Sequence, residues 1–521
     1  MHIIRGYMFS KELAFRLATV LLFLIMSSIG IVISAYLMLT AVTPFLYAIA
    51  LSFLILSIIS GIFNISSAYS YYRSSFYPEH LQKLREKLKP LEEFPTVAIA
   101  VPVYNEDAEM VKRNLIRLKA MNYDKSKLAF YLLDDSTIPE TTNQLRLFCE
   151  KEGIIYLHRD NRKGFKGGAL NNMLKYSKED FIAIFDSDEY LTDENFLMEL
   201  LPYFENKKVA FVQTEKRYAK GTFFSSCVDL FDAFFFKFIQ PSRALNNTAI
   251  FAGSCGLIRR SALDEIGGFP EFVIEDTFFS FESDAKGFKS VYIPKVYALG
   301  KPITTFTELA RQQWRYNYGD TQFLLHFLKH WKENKRRTMS ALSKIDYALH
   351  GLGLNYLSIT LILFTVVSVL SVFASAPVAY IAAKQLLSFK YPSFNIELFG
   401  LNAFLLSILV PIAITKLYFN SVSKGIMIFA LNFALAFVRL RAAIAALFNA
   451  RPTAGWIKGG TLLSKNIMRS FKNAYLELVF SAGLFASSAF AFMSYNLSGG
   501  LWLLWYGLLY GSTFLFFYLY G

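Results

Sequence analysis

Cysteine is scarce: the 521-residue chain holds three, Cys149, Cys227 and Cys255, with no CxxC pair and no metal-ligand spacing. That excludes a disulfide framework and a zinc site, and it suits a reducing compartment for the water-facing part. Charge is scarce too. Only 18% of residues are charged while 54% are hydrophobic, and mean hydropathy is +0.34, too apolar for an ordinary soluble protein of this size. The charges are unbalanced at +14 net, and 17% of residues are aromatic. With those aromatics in long apolar runs, the basic excess points to the cytoplasmic face of a bilayer, or to loop placement alone, and not to nucleic acid. There is no internal repeat, low-complexity tract or cleavable signal, since the first apolar stretch is too long for a signal peptide.

No charged residue occurs between Leu17 and Tyr72. A helix needs about 20 apolar residues to cross hydrocarbon, so two spans turning near Pro44 are predicted. Arg5, Lys11 and Arg16 precede them, Arg73 follows, and the turn carries no Lys or Arg, which puts both ends in the cytoplasm. Later apolar stretches cover 351–375, 398–415 and 425–438, and a charge-free run from Leu478 to Gly521, broken at Ser498-Gly499-Gly500, predicts a second hairpin. The segment from Gly425 to Val438 is short and runs into Arg439 and Arg441. A central Arg costs about 2.5 kcal/mol or more to insert, so an interfacial helix over 425–449 is the preferred reading. That leaves Arg451, Lys458, Lys465, Arg469 and Lys472 cytoplasmic and gives six spans; seven follow if the segment crosses.

The resulting plan is a membrane hairpin over 1–75, a charged linker over 76–94, a cytoplasmic domain over 95–320, an interfacial segment over 321–346 and a membrane domain over 347–521. Within the cytoplasmic domain, TVAIAVPVY, AFYLLDD, IIYLHRD, FIAIFDSD and VAFVQTE read as strands separated by amphipathic helical stretches. The alternation predicts a doubly wound α/β sheet, whose ligands bind beyond the strand ends. Those ends carry Tyr104-Asn105-Glu106, Asp134-Asp135, Asp186-Ser187-Asp188 and Gln213-Thr214.

Two carboxylates such as Asp186 and Asp188, closing an apolar strand, are expensive to bury unless a cation shares them. A hard divalent ion, Mg²⁺ or Mn²⁺, bridging to diphosphate oxygens meets that need. Asp134 and Asp135 offer acceptor oxygens to a base or ribose, or cap the next helix. In Arg162-Lys163-Gly164-Phe165-Lys166-Gly167-Gly168 the glycines allow close backbone approach and Lys166 can meet a phosphate; the alternative is a solvated basic turn. Glu275 and Asp276 open a helical stretch, as caps or as a general base for a hydroxyl. Gln312-Gln313-Trp314-Arg315-Tyr316 supplies a guanidinium for a departing diphosphate and aromatic faces for a sugar, or the polar face of a helix lying on the membrane. The stretch bearing Phe223, Phe224, Phe231, Phe234, Phe235 and Phe238 frames an entrance at the membrane, or packs a core.

Taken together, these motifs resemble the family 2 glycosyltransferases, in the membrane branch of cellulose, hyaluronan and chitin synthases and ceramide glucosyltransferases. The resemblance runs over about residues 96–320. VAIAVPVYNED, DDS, KGGALN, DSD, FVQT, FAGSCGLIRRSAL, IED and QQWRYNYG follow in the family's order, and they imply a GT-A-like fold. By position, Tyr104, Glu106 and Asp135 are implied at base and ribose, and Lys166, Asp186, Gln312 and Arg315 at the diphosphate. Asp188 is implied as the main metal ligand, Asp276 as the base, and Gly253 and Ser254 near the acceptor, with Trp314 and Tyr316 as its aromatic platform. The resemblance implies a multi-pass enzyme of the cell membrane with its catalytic domain cytoplasmic. Its donor is a nucleotide sugar, with UDP-sugars favoured, and its acceptor is a growing glycan or a lipid. A transporter or inactive scaffold would have no reason to keep Asp186, Asp188, Asp276 and Arg315 together. The sequence departs from the pattern at Ile274, where the family has Thr, and at Tyr316, where it has Trp. The segment from Arg451 to Lys458 only loosely echoes the gating loop of polymer synthases.

Overall fold

The computed structural model describes residues 43–90, 93–330, 339–386, 415–416, 420–449 and 466–521, with scattered positions between 16 and 39. The span expected over 398–415, apart from Thr415, the segment from Arg451 to Lys458, and Lys465 lie outside these, and the first arm of the N-terminal hairpin is described only at scattered positions.

All five expected strands form: β1 Val97–Val103, β2 Leu128–Asp134, β3 Ile155–His158, β4 Phe181–Ile184 and β6 Val209–Thr214. β1 is apolar on both faces because it is central, between β2 and β4 and parallel to both. Helices Ala108–Lys119, capped by the Asp107 carboxylate, and Pro139–Glu152 cover one face; Phe165–Leu174 and Glu275–Ala285 cover the other.

The purely wound arrangement needs a correction. The sheet runs β3-β2-β1-β4-β8-β6-β9, where β9 is Lys289–Ile293 and β8, Gly256–Arg259, is antiparallel to both β4 and β6. β8 holds only Leu257 and Ile258 between Gly256 and Arg259, too few apolar residues to read as a strand in sequence. Its direction is set by a turn in which Gly253 takes φ +81°, followed by Cys255 at φ +51°. A second small sheet, of β5 Tyr190–Leu191, β10 Ala298–Gly300 and β7 Arg217–Tyr218, lies just past the ends of β4 and β6.

The expected charged linker also carries order. Helix Tyr77–Arg85 buries Tyr77 and Leu81 in the main core, and the Tyr77 hydroxyl donates to the Tyr292 carbonyl of β9 Lys289–Ile293. Helix Phe306–Lys329, opened by a Thr305/Glu308 capping box, runs straight through position 320, where the sequence reading ends the domain. One of its faces packs Leu309, Trp314 and Tyr318 against Leu431, Leu435, Val438, Phe516 and Phe517.

Among the described residues, five helical stretches are long and apolar enough to cross a membrane: Pro44–Ser74, Leu357–Ala374, Val422–Leu447, Tyr475–Met493 and Leu497–Tyr520. The last two pair closely, with Ser481 and Ser488 hydroxyls donating to the carbonyls of Gly507 and Gly500 at 2.7 and 2.8 Å. Their turn falls at 494–496, ahead of the expected Ser498-Gly499-Gly500 break, because the Asn496 side chain accepts from Gly499 N–H at 2.8 Å and starts the second helix there. The doubtful 425–449 segment is two helices, Val422–Ala434 and Ala436–Leu447. Its Arg439 is fully buried, donating to Gln313 and Asn432 at 3.1 Å with the Phe231 ring 5.5 Å away.

Of the phenylalanine-rich stretch, Phe224 stacks on Tyr520 at 4.6 Å and Phe238 meets Tyr71 edge-on at 4.9 Å. The stretch therefore joins the α/β domain to both the first and the last described apolar helices. Gly319 abuts Ile274, whose Cγ2 lies 2.5 Å from where a glycine Cβ would stand. Gly319→Val should overpack this contact by about 1–3 kcal/mol. We expect a lower Tm in detergent, restored in part by Ile274→Ala; an unchanged Tm counts against the tight seam.

Candidate active site

The residues expected to act gather past the carboxyl ends of β1, β2, β4 and β6. After β1, Asn105 takes φ +53° and clamps two loops together: its N–H donates to Ser136 Oγ, and its Oδ1 accepts from Thr137 N–H, both at 2.8 Å. This presents Tyr104, whose ring carries the Arg162 guanidinium at 3.6 Å, and Glu106, whose carboxyl burial pushes up against the pull of Lys301. The two aspartates after β2 divide the work. Asp134 is fully buried and accepts from Ser136 N–H at 2.8 Å and Tyr156 OH at 2.6 Å, so its oxygens are spent inside the fold. Asp135 is gripped two-fold by Arg159, whose Nε donates at 2.7 Å. Arg159 and Arg162, in the HRDNRKG segment, were not singled out by the sequence reading.

Asp186, just past β4, is bonded by three side chains. Lys166 donates to its Oδ1, and Lys216 and the Ser254 hydroxyl reach its Oδ2 at 3.2 and 2.9 Å. Glu189 completes the knot, with Ser254 Oγ at 2.8 Å, Lys216 at 3.3 Å and its Oε2 accepting from Asp186 N–H at 2.9 Å. Burial raises the Asp186 carboxyl, but Lys166 and then Lys216 overcome this and hold it well below the usual carboxylate range. Asp188 goes the other way, pushed up to about 7 by burial, then by Asp186 and Glu189. Sequence reasoning missed Lys216 and Glu189. Their only signal was adjacency, one just past QT, the other just past DSD.

Two residues expected on the acceptor side have their contacts elsewhere. Ser254 is fully buried and its hydroxyl is committed to Asp186, Glu189 and Lys216, so it positions the aspartate. Trp314 is 7% exposed and packs among the apolar helices, on the helix face opposite Gln312 and Tyr316. Gln312 Nε2 donates to Tyr218 OH at 3.1 Å and Tyr316 OH at 3.2 Å, and Tyr218 in turn donates to Asp232 at 2.9 Å. Arg315 lies against the Tyr316 ring at 5.6 Å, within electrostatic reach of Asp186 and Glu275.

Asp276, at the start of helix Glu275–Ala285, accepts from Thr277 N–H at 2.8 Å. A Cβ on Gly253 would stand 3.0 Å from Asp276 Oδ2 and 3.7 Å from Lys166 Nζ, so the bare glycine keeps the space between carboxylate and lysine open. Burial, then Asp276, push the neighbouring Glu275 up to about 8 against the pull of Lys166.

Among the described residues, no three His, Cys, Asp or Glu side chains converge as a metal cage. The donors present still suit a hard divalent ion. A dication on Asp188 relieves the repulsion that raises its carboxyl, and the remaining ligand positions fall to oxygens brought by a ligand such as a diphosphate.

A mixed sheet with this constellation at its strand ends is a GT-A-like domain, and residues 98–267 match the model of Glycosyl transferase family 2. That segment is similar to cellulose synthase catalytic subunits and glucomannan mannosyltransferases. The chain is 34% identical over 239 residues to a UDP-forming cellulose synthase catalytic subunit of Pseudomonas fluorescens, covering 44% of this chain and 32% of that protein. It is 31% identical over 242 residues to a probable glucomannan 4-beta-mannosyltransferase of Oryza sativa, covering 44% of this chain and 41% of that protein. It thus spans well under half the length of these relatives. Among solved structures, a Pyrobaculum calidifontis mannosyltransferase in complex with GDP-Man and Mn²⁺ aligns at 17% identity and TM-score 0.46, over 74% of this chain and 97% of that one.

Because Glu275 holds its proton up to about 8 when folded, against an ordinary 4.5, the folded protein binds more protons in that window and loses stability as pH rises through it. Glu275→Gln removes this contribution. The Tm of the donor-free variant, scanned from about pH 5 to 8, should fall less steeply than in wild type. Equal slopes would show that Glu275 is ionised throughout.

Proposed function

We propose that the chain is an inverting, metal-dependent glycosyltransferase of the cell membrane. It moves a sugar from a nucleotide-sugar donor, with UDP-sugars favoured, to a growing glycan, and couples transfer to passage of the product across the bilayer. The observation that carries this reading is the opening at Gly253, with the Asp276 carboxylate on one side and Lys166, tied to Asp186, on the other. A base for the incoming hydroxyl and a cation for the leaving group flank one gap.

In this reading Tyr104, Glu106 and Asp135 take the base and ribose, and Lys166, Gln312 and Arg315 take the diphosphate. Asp276 accepts the acceptor hydroxyl's proton; burial raises its carboxyl, against the pull of Thr277 N–H and Lys166, and so strengthens it as a base. The freed oxygen pair bonds to the anomeric carbon while that carbon's bond to the phosphate oxygen breaks. The bonding pair leaves with the nucleoside diphosphate, and Lys166 and Arg315 offset the charge that appears there. One displacement inverts the centre. Asp188 and Asp186 would hold Mg²⁺ or Mn²⁺, which would supply further positive charge to offset the diphosphate. The helix Phe306–Lys329, with Gln312 and Arg315 towards the cleft and Trp314 among the apolar helices, supports the coupling to the membrane. The names of the two relatives, a cellulose synthase and a glucomannan mannosyltransferase, support a polymer over a single-sugar product.

Purified protein with radiolabelled donors should yield a ladder of saccharides; one sugar on a lipid and never more would overturn the polymer reading. Asp276→Asn should abolish transfer, with a loss of about 100-fold or more in kcat, and leave donor binding by calorimetry nearly intact. Asp188→Asn should instead weaken donor binding in Mn²⁺ and leave metal-free binding little changed. Retained turnover in Asp276→Asn removes it as the base.

A further inference from the structure

Positions 312, 316 and 320 recur every four residues on helix Phe306–Lys329, so Gln312, Tyr316 and Asp320 form one stripe running away from the diphosphate side. The spacing between this stripe and the Asp276 segment is fixed by Ile274 against Gly319. Asp320 is half-buried, and among the described residues neither a hydrogen-bond donor nor a cation offsets it. Ile274 stands two residues before Asp276 and Gly319 directly before Asp320, so their contact brings the two segments together; burial, and next the charge of Asp276, push the Asp320 carboxyl well above the ordinary range.

Its surroundings explain how a partnerless carboxylate fits there. The long helix Ala341–Leu386 breaks at Gly353, at φ 48° and ψ −144°, and a Cβ at that glycine would stand 2.3 Å from Asp320 Oδ2. Only a residue without a side chain leaves the carboxylate its place. One turn earlier the same helix brings His350 Nε2 to 3.4 Å from the hydroxyl of Thr277, the residue after Asp276. The kinked helix thus flanks both Asp276 and Asp320.

A carboxyl left without a donor is a ready acceptor for a ligand's hydroxyl, whether ionised or protonated. On the glycosyl-transfer reading proposed above, the ligand on this side is the acceptor, since Lys166 and Arg315 hold the diphosphate end. We propose that Asp320 is an acceptor-specificity residue: it binds a second hydroxyl of the acceptor while Asp276 deprotonates the first, so the acceptor is a saccharide with adjacent hydroxyls and not a simple alcohol. A free glycan end and a lipid-linked sugar share this chemistry.

The test uses full-length protein in lipid nanodiscs, with a donor panel that includes UDP-glucose and GDP-mannose. Acceptors are cellobiose, mannobiose, the same sugars on an alkyl chain, and 1-octanol. For Asp320→Asn the saccharide acceptor KM should rise about 10-fold and the preference for saccharide over octanol should collapse by a similar factor. Its donor KM should shift less than about threefold, and Asp320→Ala should exceed the Asn effect. Rescue of one saccharide class alone by higher concentration tells a free glycan end from a lipid-linked sugar, and either outcome supports the assignment. An unchanged saccharide KM, or octanol and saccharide transfer falling together, overturns it. Should Asp320→Ala fail to fold, the isosteric Asn variant decides by the same criterion. Wild-type protein that turns over no nucleotide sugar of the panel overturns the glycosyl-transfer reading itself, and this inference with it.

Discussion

The carboxylate of Asp186, held between two lysines, is the contact on which the arrangement of the cleft depends. Three charged groups in a partly buried pocket are costly to desolvate singly, and they are tolerable only when they meet. Each member comes from a separate part of the chain: Asp186 from the end of β4, Lys166 from the glycine-rich helix, Lys216 from beyond β6. Ser254, from the turn before β8, locks the set. Forming this knot therefore requires the parallel half of the sheet, its antiparallel strand and the small outer sheet all to be in place.

The rest of the cleft is arranged around that knot by what is left uncompensated. Asp186 has its cations inside the protein, whereas Asp188 two residues later is raised by burial and by its acidic neighbours. Gly253 leaves a gap where any side chain would meet Asp276. Gln312 Oε1 is buried without a donor among the described residues. Such incomplete pairings concentrate where the fold gives up stability for binding, whereas Asp134, paired with Tyr156, is fully buried.

The sequence made much of this legible, for reasons that differ by element. β1, β2, β4 and β6 are runs of apolar residues long enough to read, and the motifs at their ends mark the cleft. β8 is not legible because only Leu257 and Ile258 in it are large and apolar and its reversal depends on backbone angles at Gly253 and Cys255. Lys216 and Glu189 escaped because their importance comes from distance in space and not from spacing along the chain. Trp314 falls about 200° around the helix from Gln312, so the helical period alone sets it on the face away from Gln312 and Tyr316. The charge of Arg439, which argued against a membrane crossing, is met by Gln313 and Asn432 on neighbouring helical segments, a pairing that only the tertiary structure reveals.

The helix Phe306–Lys329 belongs to two bodies at once, and this has a mechanical consequence. Its 24 residues form a rod roughly 36 Å long, so a tilt of about 5° about one end carries the other through about 3 Å. That is the length of a hydrogen bond. The same rod carries Gln312 and Arg315, so under the proposed membrane reading bilayer thickness and lateral pressure, acting on the apolar helices seated against Trp314, would be among the variables that set the geometry of the cleft.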